Sequence, residues 1–198
     1  MDDTKPHPIP AQEWPSELAG VLDDLRGRPV NVQSLMANSP GLLNAWWPFR
    51  NYIVKGSSLG QRKTELAILR LAIHMNCWYE WGSHVDRALR LGIEVEEILG
   101  LLEPVTENPW SEGERALIMA VDDMMKYRKV RPVTLAILNK NYSNQQVMDL
   151  IALQGMYLIL AGMIKTWGLS LDQETEERVS HILNEEAFKQ RSENISDR

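Results

Sequence analysis

The chain has a single cysteine, Cys77, so it can form no internal disulfide and its fold owes nothing to an oxidising compartment. It has no excess of positive charge: 21 lysines and arginines stand against 27 aspartates and glutamates, a formal charge of -6. Without a basic stripe a polyanion has nothing to bind, and nucleic acid is not expected as a partner. Long apolar runs are also missing. The longest, Met156 to Ile164, is interrupted by Gly162 and falls short of the roughly 20 residues that span a bilayer. No apolar stretch follows a basic start at the N-terminus, as a secretory signal would require, so a soluble cytoplasmic protein with no membrane partner is expected. Period-2 alternation bounded by hairpin turns is absent too, which removes β-structure.

What remains is helical. A chain of 198 residues can bury roughly 70% of its unfolded surface as one domain. Residues 1–30 read as a proline-rich arm, with Pro6, Pro8, Pro10 and Pro15, followed by a short helix over Glu17 to Leu25. Residues 31–172 read as the main domain and 173–198 as a charged tail or helix, frayed or facing a partner. Ser39-Pro40 suits a helix start, and the stretch from Ser58 to His74 is apolar almost all round, as a central helix would be. Asn76 is a candidate N-cap for a helix beginning at Cys77 and stopping at Gly92. "EVEEILGLLE" makes a short helix that "ENPW" ends. Ser111-Glu-Gly-Glu114 has capping-box spacing. Ser143 or Asn144 caps a long last helix closing at Gly168, with Val147, Leu150, Ile151, Gln154, Leu158 and Ala161 as one stripe.

The chemistry is concentrated in "HMNCWYEWGSH". At 100° per residue, Cys77, Glu80 and His84 fall within about 60° of one another on a helix face. In a first turn, the helix dipole and free N–H groups would favour a Cys77 thiolate. Glu65 sits among leucines and isoleucines on the preceding helix and can fold back toward the same groove. The structural alternative is a buried small thiol, core tryptophans and a surface Glu80–His84 pair. Asp122-Asp123 reads as an exposed helix face, and His74 as a histidine near a helix end. Arg26, Arg28, Arg50 and Arg62 could include a carboxylate clamp, with nothing to choose among them. Three ligand types on one helix face lack chelating spread, so no metal is expected, and no cofactor.

Residues 62–98, "RKTELAILRLAIHMNCWYEWGSHVDRALRLGIEVEEI", resemble the core of the carboxymuconolactone decarboxylase family, which includes the alkylhydroperoxidase D (AhpD) proteins. Glu65, Cys77 and His84 match the pattern of an early Glu followed by Cys-x-x-Cys-x-x-x-His, and the flanking helical segments extend the likeness to about residues 30–172. The resemblance implies an all-α AhpD-like helical bundle and a homo-oligomer: trimer, hexamer or dimer. It also implies that Glu65, Cys77, Glu80 and His84 are catalytic. Trp78, Tyr79, Trp81 and Gln154 then become candidate contacts to a small-molecule substrate. Glu80 stands where redox members have their second cysteine, so no vicinal disulfide can form. Acid–base, decarboxylase-type chemistry on a small organic acid or lactone is the first expectation. Hydroperoxide reduction through Cys77 with an external thiol is the second. A non-catalytic metabolite binder is the third.

Overall fold

A computed structural model describes residues 5–105 and 110–196; those residues are all-α, with no strand among them. Part of the "ENPW" stop and the first four residues of the arm lie outside the described residues. The helices are α1 (Ala19–Asp24), α2 (Asn31–Met36), α3 (Pro40–Asn51), α4 (Gln61–His74), α5 (Trp78–Arg90) and α6 (Val95–Gly100). They continue as α7 (Glu112–Tyr127), α8 (Pro132–Asn141), α9 (Asn144–Trp167), α10 (Gln173–Val179) and α11 (Glu185–Ser196).

α4 is the central rod. Every residue from Thr64 to Ile73 is buried, and α5, α7, α9 and α11 all pack on it. Helix ends follow local chemistry. Ser111 and Glu114 close a reciprocal capping box on α7, as Ser143 and Gln146 do on α9. Gly92 and Gly168 take positive φ after α5 and α9, where a side chain would be strained. Pro48 lies inside α3 with no N–H to give the preceding turn, and the helix passes into a π-helical turn, Tyr52–Gly56.

Four sequence expectations are corrected. α5 begins one residue late: Cys77 is its extended N-cap, and Asn76 adopts φ +45° in the turn before it. In α9, Ile151 and Leu158 are exposed, while Leu153, Tyr157 and Leu160 face inward beside Leu150 and Ala161. A helix apolar almost all round gives periodicity no face to choose. α9 is also long and apolar enough, by length and composition, to cross a membrane; 56% of that window is buried inside the protein, as in a core helix. Asp122 and Asp123 are not an exposed face. Asp122 takes Arg70 at 2.6 and 2.9 Å and His74 at 2.6 Å, and buried Asp123 takes Arg131 at 2.6 Å. Acidic pairs in sequence do not show which cations other helices bring.

The segment after Asp172 is neither frayed nor free. α10 and α11 pack against α5 and α4, burying Val179, Phe188 and Ser192 completely. Gly82 makes this possible from the α5 side, since a Cβ there would stand 2.6 Å from the Leu171 side chain.

Candidate active site

α4 and α5 bring two of the expected groups into direct contact. Glu65 Oε2 lies 2.6 Å from His84 Nδ1, and both residues are buried. The short contact places the His84 proton on Nδ1, where it is donated to the carboxylate, and leaves Nε2 as an acceptor, approached weakly by Arg87 Nη1 at 3.4 Å. Glu80, one turn before His84, has Oε2 3.6 Å from that Nε2. Its other oxygen, Oε1, is buried without a hydrogen-bond partner among the described residues. The edge of the imidazole meets the Tyr157 ring, with centroids 5.1 Å apart.

Glu80 and His84 line a cavity of about 230 Å³, walled by Trp46, Trp47 and Met156 on one side and edged by Tyr79, Arg50 and Arg87. Burial pushes the Glu80 carboxyl up to about 7, with Glu65 adding to the rise and Arg87 opposing it. Burial moves His84 the other way, below its usual value; Glu65 opposes that shift and Arg87 reinforces it. Near neutrality the cavity therefore holds a neutral imidazole beside a carboxyl poised to give or take a proton.

Glu80 has a stability consequence. Folded, it keeps its proton to about pH 7, whereas an ordinary glutamate releases it near 4.5. Between those values the folded state binds the extra proton, so stability falls as pH rises, and the full cost is present above about 7. Glu80→Gln should raise stability at pH 8 by up to roughly 3 kcal/mol and change it little at pH 4. Urea denaturation at both pH values checks this; equal effects at the two would refute a protonation origin.

The other expected site residues are elsewhere. Cys77 is buried and lines a different cavity, with Lys165, Leu169 and Lys189. Burial, and then the charge of Glu80, push its thiol up to about 12, outweighing the N–H groups at the start of α5 that were expected to favour a thiolate. Trp78 and Trp81 are stacked 5.4 Å apart and covered by Phe188 of α11, away from the cavity wall. Gln154 is buried with neither amide atom partnered among the described residues, and it does not line the cavity. Tyr79 does line it, but its hydroxyl is engaged: it donates to Asp172 at 2.8 Å and accepts the Val32 N–H at 3.1 Å.

Of the four scattered arginines, Arg50 alone reaches the cavity; Arg62 pairs with Glu97 and Glu114. Arg87 was missed by the sequence reading. Its signal was available, because it lies one turn beyond His84 and two beyond Glu80 on the same face of α5.

Residues 40–123, the segment holding Glu65, Cys77, Glu80 and His84, match the carboxymuconolactone decarboxylase family. Several solved structures share this chain's fold at low identity. An alkylhydroperoxidase AhpD core protein from Ralstonia eutropha JMP134, described as peroxidase-related, superposes with a TM-score of 0.75 at 15% identity, over 86% of this chain and 94% of that one. A peroxidase-related protein from Silicibacter sp. TM1040 gives 0.73 at 15% identity, over 88% and 96%. The debrominase Bmp8 gives 0.75 at 15% identity, over 90% and 98%. A cysteine-to-alanine variant of Bmp8 was solved in complex with 2,3,4-tribromopyrrole, with a TM-score of 0.74 at 14% identity, over 89% and 96%. No curated protein matches the chain.

Proposed function

We propose that the protein is an acid–base enzyme of decarboxylase type, acting on a small organic acid or lactone. The observation that carries this reading is the Glu65–His84–Glu80 array: an imidazole fixed by one carboxylate, its free nitrogen turned toward a second carboxyl poised near neutral pH. Loss of CO2 leaves an electron pair on carbon, which an adjacent carbonyl holds as an enolate until a proton arrives. Protonated Glu80 is placed to supply that proton. His84, with its lone pair on Nε2, is placed to draw a proton from substrate or water, Glu65 holds the imidazole in the required tautomer, and solvent returns the proton to Glu80 after product leaves. The complex of Bmp8 with tribromopyrrole supports the idea that this fold can house a small ring. Placement of the one cysteine outside the cavity, with a raised thiol pKa, favours proton transfer over thiol oxidation. A cytoplasmic homo-oligomer completes the reading, with the outward apolar side chains Met148, Ile151, Leu158 and Ile159 of α9 as the face for a second copy.

The test is a panel of lactones and β-keto acids. On any substrate turned over, His84→Ala and Glu65→Gln should each lower kcat at least a hundredfold, and Cys77→Ser should stay within a few-fold of the parent. The rate should fall above about pH 7 as Glu80 loses its proton, and Glu80→Gln, which has no proton to give, should lower kcat at least a hundredfold and leave a residual rate without that limb. Turnover that needs Cys77 and ignores His84 would overturn the assignment.

A further inference from the structure

The cavity holds an electrostatic imbalance that the proton-transfer array does not use. Arg50 and Arg87 both line it, yet among the described residues no carboxylate comes within 4.0 Å of either guanidinium. Arg50 Nη1 donates only to Asn51 Oδ1 at 2.9 Å, and its guanidinium lies 4.9 Å from the Trp47 ring centre. Arg87 Nη1 has only the weak 3.4 Å approach to His84 Nε2. Burial, with the charge of Arg87 adding to it, presses Arg50 below its ordinary value, whereas Arg87, in spite of burial, is held above its own by Tyr157, Glu65 and Glu80 at longer range. The other two arginines on this cavity are satisfied, since Arg90 and Arg178 both bond Asp86. Two neighbouring, half-buried guanidinium groups without a counter-ion are costly unless something pairs with them.

We propose that Arg50 and Arg87 bind the carboxylate of a small, flat, singly charged acid, with its ring against Trp46, Trp47 and Met156. The inference rests on the proton-transfer reading for its setting and adds the substrate class. Charge selects a monoanion. With Glu80 protonated, Arg50, Arg87, Arg90 and Arg178 on the cavity stand against Asp86, Asp172 and the adjoining Glu65, an excess of one positive charge that one carboxylate cancels. Guanidinium forks match a carboxylate's two oxygens. Size agrees, because about 230 Å³ lies below the range of drug-sized sites and the wall is aromatic. The bound carboxylate is a handle and not the leaving group: the carboxyl that departs as CO2 is a second one that enters protonated, its proton passing to the adjacent carbonyl as the C–C bond breaks, so the bound species carries one charge. An arginine pair on a carboxylate about to depart as neutral CO2 would stabilise the ground state more than the transition state. Held instead on a non-reacting carboxylate, the pair orients the rest of the molecule toward Glu80 and His84. Arg50, Arg87 and Tyr157 also line a second cavity, of about 390 Å³, beside the start of α4, so the carboxylate site is bordered by space on both sides.

Isothermal titration calorimetry of the full chain tests this with benzoate, neutral benzamide and inorganic phosphate. Benzoate should bind at least tenfold more tightly than either of the others. Arg50→Gln and Arg87→Gln should each weaken benzoate at least tenfold, and Arg62→Gln, which lies outside the cavity and pairs with Glu97 and Glu114, should change it by less than about twofold. Benzamide binding as tightly as benzoate would overturn the proposal, and so would benzoate binding that both arginine variants retain. Phosphate matching benzoate would overturn the carboxylate assignment in favour of a phosphoryl ligand. The comparison of benzoate with benzamide needs only the parent protein, so the proposal remains decidable if an arginine variant does not fold. Failure of the proton-transfer reading would show separately, as turnover unaffected in His84→Gln while charge discrimination in binding persists.

Discussion

At pH 7, Cys77 in the folded protein should react with iodoacetamide about a thousand times more slowly than an ordinary cysteine. Only the thiolate is alkylated, and each unit of pKa removes a factor of ten from the thiolate fraction below it. Burial and the Glu80 charge carry the thiol from 9.0 to about 12, three units and hence roughly a thousandfold. Limited access adds to the delay, since Cys77 is 2% exposed. The same argument applies to organic hydroperoxide. Intact mass after a modest excess should show no added oxygen on the time scale of a thiol peroxidase, and Cys77→Ser should be indistinguishable from the parent. A rapid gain of one oxygen at Cys77, reversed by added thiol, would place the redox chemistry of the peroxidase-related proteins ahead of proton transfer here. Glu80→Gln gives an internal check. With the nearby negative charge removed, alkylation should speed up, though burial, the larger cause, stays in place.

Phe188→Ala should cost roughly 3–5 kcal/mol of folding stability, the range for emptying a fully buried aromatic site. Phe188 is completely buried, with ring centres 5.7 Å from Trp78 and 5.3 Å from Trp81. Those tryptophans form the first turn of the helix that carries Glu80 and His84. The substitution leaves a void beneath α11 and no apolar cover for the pair. Tryptophan emission should shift to the red at the same time, because Trp78 becomes wetter. Phe49→Ala is the matched control: Phe49 is 39% exposed and should cost about 1 kcal/mol or less. Urea denaturation of the two variants decides the matter; a Phe188→Ala loss no larger than that of Phe49→Ala would mean that α11 is not an integral part of the domain.

Local signals in the chain were legible where chemistry is local. Ser111 with Glu114, Ser143 with Gln146, and Gly92 and Gly168 each act within one helical turn, so reading them needs no knowledge of neighbours. Glu65 and His84 were legible through family resemblance, and their contact depends on the turn at Asn76 folding α5 back along α4. Arg87 was hidden for the opposite reason. The spacing in "HVDRALR" puts it on the His84 face, but nothing there shows that it lacks the carboxylate partner that Arg90, three residues on, finds in Asp86. The difference is the missing counter-ion, a property of three-dimensional neighbours. Trp78 and Trp81 were assigned to the substrate wall because their cover lies in a charge-rich segment whose few apolar residues gave only a weak pattern. Cys77 was expected at the cavity because a regular helix was extrapolated back through a residue that is its extended cap.

The strap between Asn76 and Ser192 bears on how the protein is made. The Ser192 hydroxyl donates to the Asn76 side chain at 2.9 Å across 116 positions of sequence, and Phe188 closes over the tryptophans from the same helix. During synthesis the chain emerges from its N-terminal end. The proton-transfer helix is therefore complete long before the residues that cover its first turn have been translated. Until then Trp78 and Trp81 lie bare at the surface of the nascent domain, a sticky patch that a chaperone or another growing chain can occupy. The residues that remove the hazard, those of α11, are translated more than 100 positions after the tryptophans they cover. A stop codon ahead of α11 would therefore yield an aggregating product rather than a slightly weakened protein.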